Sequence, residues 1–202
     1  EQFDYNTEHF RVDDPDLDDP DTFKVVYTGS IRKANGLGIL VDAAKAIRDP
    51  RIKILVWGEG DEREELTHRV VEEGLNNIVF KGKVEKKYVP SIVSRADLNL
   101  VHWGEVHLIQ YGVSYNKLFD YMAAGRPIFS TVRPGYSIWE KYDCGRDTED
   151  PRPEPLAHEL EKMAALPPEE LSRLGENARK GAEDYDFRVL TQKLLNVIGE
   201  IE

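Results

Sequence analysis

Apolar positions along this chain follow two alternating rhythms. Short continuous runs rich in β-branched and aromatic residues fall at 23–28 (Phe-Lys-Val-Val-Tyr-Thr), 52–57, 77–80, 98–102 and 127–131. Continuous runs of that length, closed by glycine or polar residues, predict strands buried on both faces. Between them the apolar residues take helical spacing: Leu37, Leu40, Val41, Ala44 and Ile47 share one side of a helix predicted over 37–47. A polar amphipathic helix is expected over 61–73, ended by Gly74, and a short one over 88–94 with Pro90 in its first turn. A helix over 116–124 stops at Gly125, and three more close the chain at 156–165, 168–181 and 187–198. Residues 139–144 fit neither rhythm.

Strands alternating with helices through short glycine-bearing loops predict an α/β fold, a Rossmann-like parallel sheet with helices on both faces. In such sheets ligands bind beyond the carboxyl ends of the strands. The loops 29–35, 58–61, 82–87 and 102–114 leave those ends and are expected to converge on one crevice. The first 22 residues break the pattern. They are acidic, lack apolar periodicity and begin with Glu1, and they read as a linker or cut edge of a longer protein, leaving 23–202 as the folded domain.

Composition narrows the partners. The 202 residues are 40% hydrophobic and 32% charged, which suits one compact domain, and the net charge of -11 disfavours nucleic acid as the principal ligand. A single cysteine, Cys144, allows no internal disulfide and points to a reducing compartment. No apolar run approaches the roughly 20 residues that span a bilayer.

The most informative segment is 112–128, Gly-Val-Ser-Tyr-Asn-Lys-Leu-Phe-Asp-Tyr-Met-Ala-Ala-Gly-Arg-Pro-Ile. Gly112, Val113 and Ser114 precede a helix carrying Asn116, Lys117 and Asp120. A helix start offers unpaired N–H groups and the positive end of a dipole to phosphate, and a carboxylate further in can reach sugar hydroxyls. The segment therefore reads as a seat for a nucleotide diphosphate. The loop at Gly29 and Ser30 matches neither the dinucleotide fingerprint nor the P-loop, but it places Arg32 and Lys33 at a strand-to-helix passage, as phosphate ligands or as solvated loop charges. In Trp57-Gly58-Glu59-Gly60, Glu59 either faces a ribose or begins the acidic helix. Gly82-Lys83-Val84 either presents its main chain to the edge of a base or makes an ordinary turn. His102, Trp103, Glu105 and His107 cluster in one loop without a metal-ligand spacing, so no metal site is assigned.

The motifs together resemble the C-terminal, donor-binding domain of a two-domain (GT-B) glycosyltransferase of the group 1, or family 4, retaining type. The resemblance rests on Tyr-Thr-Gly-Ser at 27–30, Trp-Gly-Glu-Gly at 57–60, Val-Phe-Lys-Gly-Lys-Val at 79–84, Ala-Asp-Leu-Asn-Leu-Val at 96–101 and the helix at 116–128. It implies binding of a nucleoside diphosphate sugar and its transfer, without a metal or other cofactor, to a glycan or lipid-linked acceptor held by an N-terminal domain of the same protein. In the family's Glu-x7-Glu motif the second Glu holds the ribose, and Asp120 stands there. Gly112 stands at the first, leaving Ser114, Asn116 or the amides around Val113 for the sugar. The family's phosphate Arg and Lys fall on Ser30 and Asn35, so Arg32, Lys33 and Lys117 are the substitutes. The Asn-Lys-Leu-Phe-Asp-Tyr-Met form resembles the bacterial capsule and exopolysaccharide branch, which implies a UDP-sugar and a cytoplasmic enzyme. It leaves room for peripheral contact with the plasma membrane's inner face. Catalytic groups are expected in the absent N-terminal domain, so this piece alone is expected to be inactive. The departures at Gly112, Ser30 and Asn35 motivate an alternative, a non-catalytic nucleotide-binding or partner domain on a degenerate transferase fold.

Overall fold

The computed structural model describes residues 9–104 and 116–199. Six strands form one parallel sheet: β1 (Phe23–Thr28), β2 (Ile52–Trp57), β3 (Ile78–Gly82), β4 (Leu98–Val101), β5 (Ile128–Ser130) and β6 (Gly145–Asp147), in the order β3-β2-β1-β4-β5-β6. The helices are α1 (Pro15–Asp18), α2 (Gly38–Ala46), α3 (Arg63–Glu72), α4 (Val89–Val93), α5 (Asn116–Ala123), α6 (Ile138–Lys141), α7 (Pro153–Ala164), α8 (Pro168–Glu183) and α9 (Phe187–Gly199). This is the Rossmann-like α/β architecture expected from the sequence, with strand order reversing direction between β1 and β4.

The alternation of side chains along each strand builds two cores. Val25 and Tyr27 of β1, Ile54 and Val56 of β2, and Leu98 and Leu100 of β4 pack under α2, α3 and α7 through Leu40, Leu66, Val70, Leu156 and Leu160. Val26, Leu55, Trp57 and Val101 face the opposite way, against Ile92 and Val93 of α4, Leu118, Tyr121 and Met122 of α5, and Trp139 of α6. Both layers exclude water, which explains why the strands read as runs that are mostly apolar on both faces.

Two segments depart from the sequence reading. The ambiguous stretch at 139–144 splits into a short helix and a turn. Ser137 caps α6 by accepting from the Glu140 N–H at 3.2 Å, and Asp143 turns the chain at φ 47° into β6. Strand β6 is only Gly-Arg-Asp at the sheet edge, too short and polar to show a period. Gly145 is required there, because a Cβ would sit 2.3 Å from the Ile128 carbonyl oxygen.

The acidic segment expected as a linker is docked over its described part. Asp14 caps α1, accepting from the N–H groups of Asp16 and Leu17, and Leu17 is 2% exposed. Asp14 and Asp16 pair with Lys81, Asp16 also with Lys53, and Asp18 with Arg95 at 2.6 Å. Asp14 and Asp16 are thus neutralised by lysines of β2 and β3 and Asp18 by Arg95, a long-range match that local composition does not show. At the other end, α9 buries none of its residues.

Candidate functional site

The carboxyl ends of β1, β2 and β3 and the α5 helix enclose a cleft of about 770 Å³. One wall is the chain turning out of β1 (Thr28, Gly29, Ser30) and out of β2 (Trp57, Gly58, Glu59). The other is the segment after β3 (Lys83, Val84, Glu85, Lys86) with Val89, and Asp120 projects from α5.

Main-chain bonds stitch these walls together. The Gly29 N–H donates to Trp57 O at 2.9 Å, the Ile31 N–H to Glu59 O at 3.0 Å, and the Gly58 N–H to Gly82 O at 2.9 Å. The fit leaves no room for a side chain at either glycine of the second loop. A Cβ on Gly58 would lie 1.8 Å from Gly29 O, and one on Gly60 would lie 2.0 Å from Ile31 O. The glycines of Trp-Gly-Glu-Gly therefore allow backbone to lie on backbone, and they fix where the β1 turn can go.

Beneath the cleft, the buried Tyr121 hydroxyl accepts from the Thr28 N–H at 2.9 Å and lies 3.1 Å from Thr28 Oγ1. It ties α5 to the end of β1, and so sets Asp120, the preceding residue, against the cleft. Burial raises the Asp120 pKa above the usual carboxylate value, opposed by the positive charge of Lys86. A half-desolvated carboxylate opposite a lysine retains acceptor capacity for hydroxyl groups.

Lys117, three residues earlier on α5, points to the foot of the Gly29 turn. Its Nζ sits 4.1 Å from the centre of the Tyr27 ring, and a Cβ placed on Gly29 would be only 2.5 Å from it. Burial lowers its pKa to about 8. The Tyr27 hydroxyl donates to Ser30 O at 3.1 Å, and the Asn35 side-chain amide donates to the same oxygen at 2.6 Å.

His102 closes the end of β4. Its Nδ1 lies 2.8 Å from Thr131 Oγ1 and its Nε2 lies 3.2 Å from Gly36 O. A carbonyl only accepts, so Nε2 carries the proton and Nδ1 accepts from the threonine hydroxyl. Burial pulls its pKa down to about 4. Both ring nitrogens are engaged, so His102 braces the loop at Gly36, after the 3-10 turn Lys33–Asn35.

Of the residues singled out in the sequence, Gly29, Ser30, Glu59, Lys83, Val84 and Asp120 line this one cleft. Gly82 joins through its carbonyl, and Asn35 shapes the turn from behind. Arg32 and Lys33 are exposed around the 3-10 turn Lys33–Asn35 and do not line the cleft. Asn116 is exposed at the start of α5. Glu59 lies before α3 and pairs with Arg63 at 3.2 Å. Gly112, Val113 and Ser114 lie outside the described residues, as do Glu105 and His107.

The profile of the family described as glycosyl transferases group 1 matches residues 22–165. The chain belongs to that family. Among curated relatives, the Escherichia coli K12 protein named putative colanic acid biosynthesis glycosyl transferase WcaI is 29% identical over 86 residues, covering 42% of this chain and 21% of its own. Among solved structures, Anabaena HepE in complex with UDP superposes with a TM-score of 0.72 at 19% identity, over 98% of this chain and 56% of HepE. The C-terminal domain of the group 1 protein LpcC from Francisella tularensis superposes with a TM-score of 0.66 at 19% identity, covering 82% of this chain and 87% of that domain. The group 1 domain described here thus spans about a fifth of its curated relative and about half of HepE.

Sequence reasoning missed several cleft residues of this group 1 domain. Trp57 reads as core because it ends an apolar run, yet its position at the strand end also exposes an edge to the cleft. Lys86, Glu85 and Val89 follow the Gly82 loop, and only the turn after β3 brings them opposite Asp120. Tyr121 was visible as a helix residue, but its bond to Thr28, 93 positions away, has no local signal.

Proposed function

We propose that this domain binds the donor of a retaining glycosyltransferase, a nucleoside diphosphate sugar with UDP as its nucleotide. The observation that carries the reading is the half-buried Asp120 carboxylate facing the same cleft as Gly29, Ser30, Lys83 and Val84, beside the point where the strand order reverses. A carboxylate there accepts from the two ribose hydroxyls, and the main chain around Val84 suits the donor and acceptor edge of a pyrimidine. The likeness to HepE, solved with UDP, supports the nucleotide.

The chemistry that follows is electrostatic. Cations and amides at the Gly29 end stabilise the diphosphate as it departs, a role that does not require a metal. The acceptor, a glycan or lipid-linked glycan, and any group that positions it belong to an N-terminal domain of the whole protein. The domain alone then binds nucleotide without transferring a hexosyl or N-acetylhexosaminyl group. The likeness to a protein named for colanic acid biosynthesis supports a place in polysaccharide assembly; the proposed setting is the cytoplasmic side of the membrane, with peripheral contact through the whole protein.

Titration with UDP, followed through amide chemical shifts, tests the reading. Shifts are expected at Gly29, Val84 and Asp120, and Asp120→Asn is expected to weaken both UDP and uridine by about 10-fold, because it removes a charged acceptor for the ribose. The same substitution relieves a desolvated charge, so thermal stability should hold or rise. No shifts at millimolar UDP, or equal affinity in the variant, would refute it.

A further inference from the structure

The group 1 domain must neutralise a diphosphate without cations at Ser30 and Asn35, and the fold sorts its remaining candidates. Arg32 and Lys33 project from an exposed turn outside the cleft. Lys83 and Lys86 line the opposite wall, where Lys86 acts on Asp120. Lys117 approaches from beneath, its ammonium at the foot of Gly29 and over the Tyr27 ring.

We propose that Lys117 is the cation that meets the donor's diphosphate, reaching it beside Gly29 from the first turn of α5. The proposal rests on the donor-binding reading above. Three features of the geometry converge on it. Gly29 carries no side chain, and the ammonium fills the place where its Cβ would stand, 2.5 Å from that position, behind the cleft wall that Gly29 forms. The Tyr27 ring holds the ammonium in place from the sheet side by a cation–π contact. And the Tyr27 hydroxyl and the Asn35 amide both donate to Ser30 O, so that carbonyl already has two donors of its own beside the ammonium.

A second consequence separates this role from a structural one. Burial leaves Lys117 easily deprotonated, with a pKa lowered to about 8. An arriving dianion favours the charged form and raises it again, so binding takes up a proton wherever the free lysine is neutral. Three titratable groups stand near it among the described residues. Burial holds the Tyr27 phenol at about 12 and His102 at about 4, and it raises the Asp120 carboxyl on the same helix above its usual value, opposed by Lys86.

The experiment measures UDP and uridine affinities side by side, since their ratio isolates the diphosphate. In the wild-type chain the ratio should fall only about 2-fold from about pH 7 to about pH 8 and by about 10-fold at about pH 9.5, because each bound diphosphate then requires a proton. Lys117→Met should lower UDP affinity by about 10-fold at pH 7 while leaving uridine unchanged. Lys117→Arg should keep a high ratio that no longer falls with pH. A wild-type ratio independent of pH, or a folded Lys117→Met that retains the wild-type ratio, would overturn the assignment. Should Lys117→Met fail to fold, the wild-type pH profile decides alone. Failure of the wild type to bind UDP at all is a different result: it removes the donor-binding reading, whereas UDP binding with an unchanged ratio removes only Lys117.

Discussion

Gly58→Ala tests whether the cleft wall depends on backbone-to-backbone contact. The added methyl carbon would lie 1.8 Å from Gly29 O, 3.0 Å from Gly29 C and 3.2 Å from a side-chain carbon of Ile31. A carbon and a carbonyl oxygen settle no closer than about 3.3 Å, so the two turns must part by about 1.5 Å. That shift exceeds what hydrogen bonds of 2.9–3.0 Å tolerate, and three cross this junction: Gly29 N–H to Trp57 O, Ile31 N–H to Glu59 O and Gly58 N–H to Gly82 O. At about 1 kcal/mol each the loss is about 3 kcal/mol, and the lower chain entropy of alanine in the unfolded state returns about 0.5 kcal/mol. The net expectation is about 2.5 kcal/mol of destabilisation in urea unfolding, with UDP affinity falling alongside. Gly74→Ala is the control. It places a methyl in open space at φ 65°, so it should cost only the left-handed backbone strain of about 1 kcal/mol and leave UDP binding untouched. A Gly58→Ala midpoint within about 0.5 kcal/mol of wild type would refute the argument, as it would mean that the turns separate freely.

Two further outcomes follow from the same structure. Burial alone would raise the Asp16 pKa, but hydrogen bonds from Lys53 and Lys81 outweigh it and hold the group below its usual value. Its contribution to stability is therefore complete above the unfolded carboxylate pKa and is lost as pH falls through the lower folded one. Asp16→Asn should cost about 1 kcal/mol at pH 7, a gap that closes as urea midpoints are compared below about pH 4. Tyr121→Phe removes the acceptor for the buried Thr28 N–H and should destabilise by about 1–3 kcal/mol, with amide shifts at Thr28 and Gly29; a variant as stable as wild type, with unmoved resonances, would contradict the role given to that hydroxyl.

The legible parts of the fold were those whose signal is local. Strands such as 52–57 sit between two helical layers, so both side-chain faces are apolar and only Lys53, paired with Asp16, interrupts the run. Helix ends at Gly74 and Gly125 were readable because each glycine takes a positive φ. Strand β6 was not, since three edge residues with Arg and Asp carry no period. Docking of α1 was equally hidden, because Asp14 and Asp16 look like solvated charge until Lys53 and Lys81 are brought beside them.

By itself the sequence determined the alternating α/β pattern, the glycines at the strand ends and the carboxylate at Asp120, and the order of its motifs pointed to the group 1 family. These follow from periodicity and residue type, which neighbours in the chain enforce. Only the tertiary structure decided which polar residues share a cleft. It set Lys117 under Gly29, Lys86 opposite Asp120 and Tyr121 against Thr28, and it turned Arg32 and Lys33 away. Those placements depend on how far a strand runs before its loop turns and on which helix face packs against which strand. Contacts between residues far apart in the chain, 93 positions for Tyr121 and Thr28, set both.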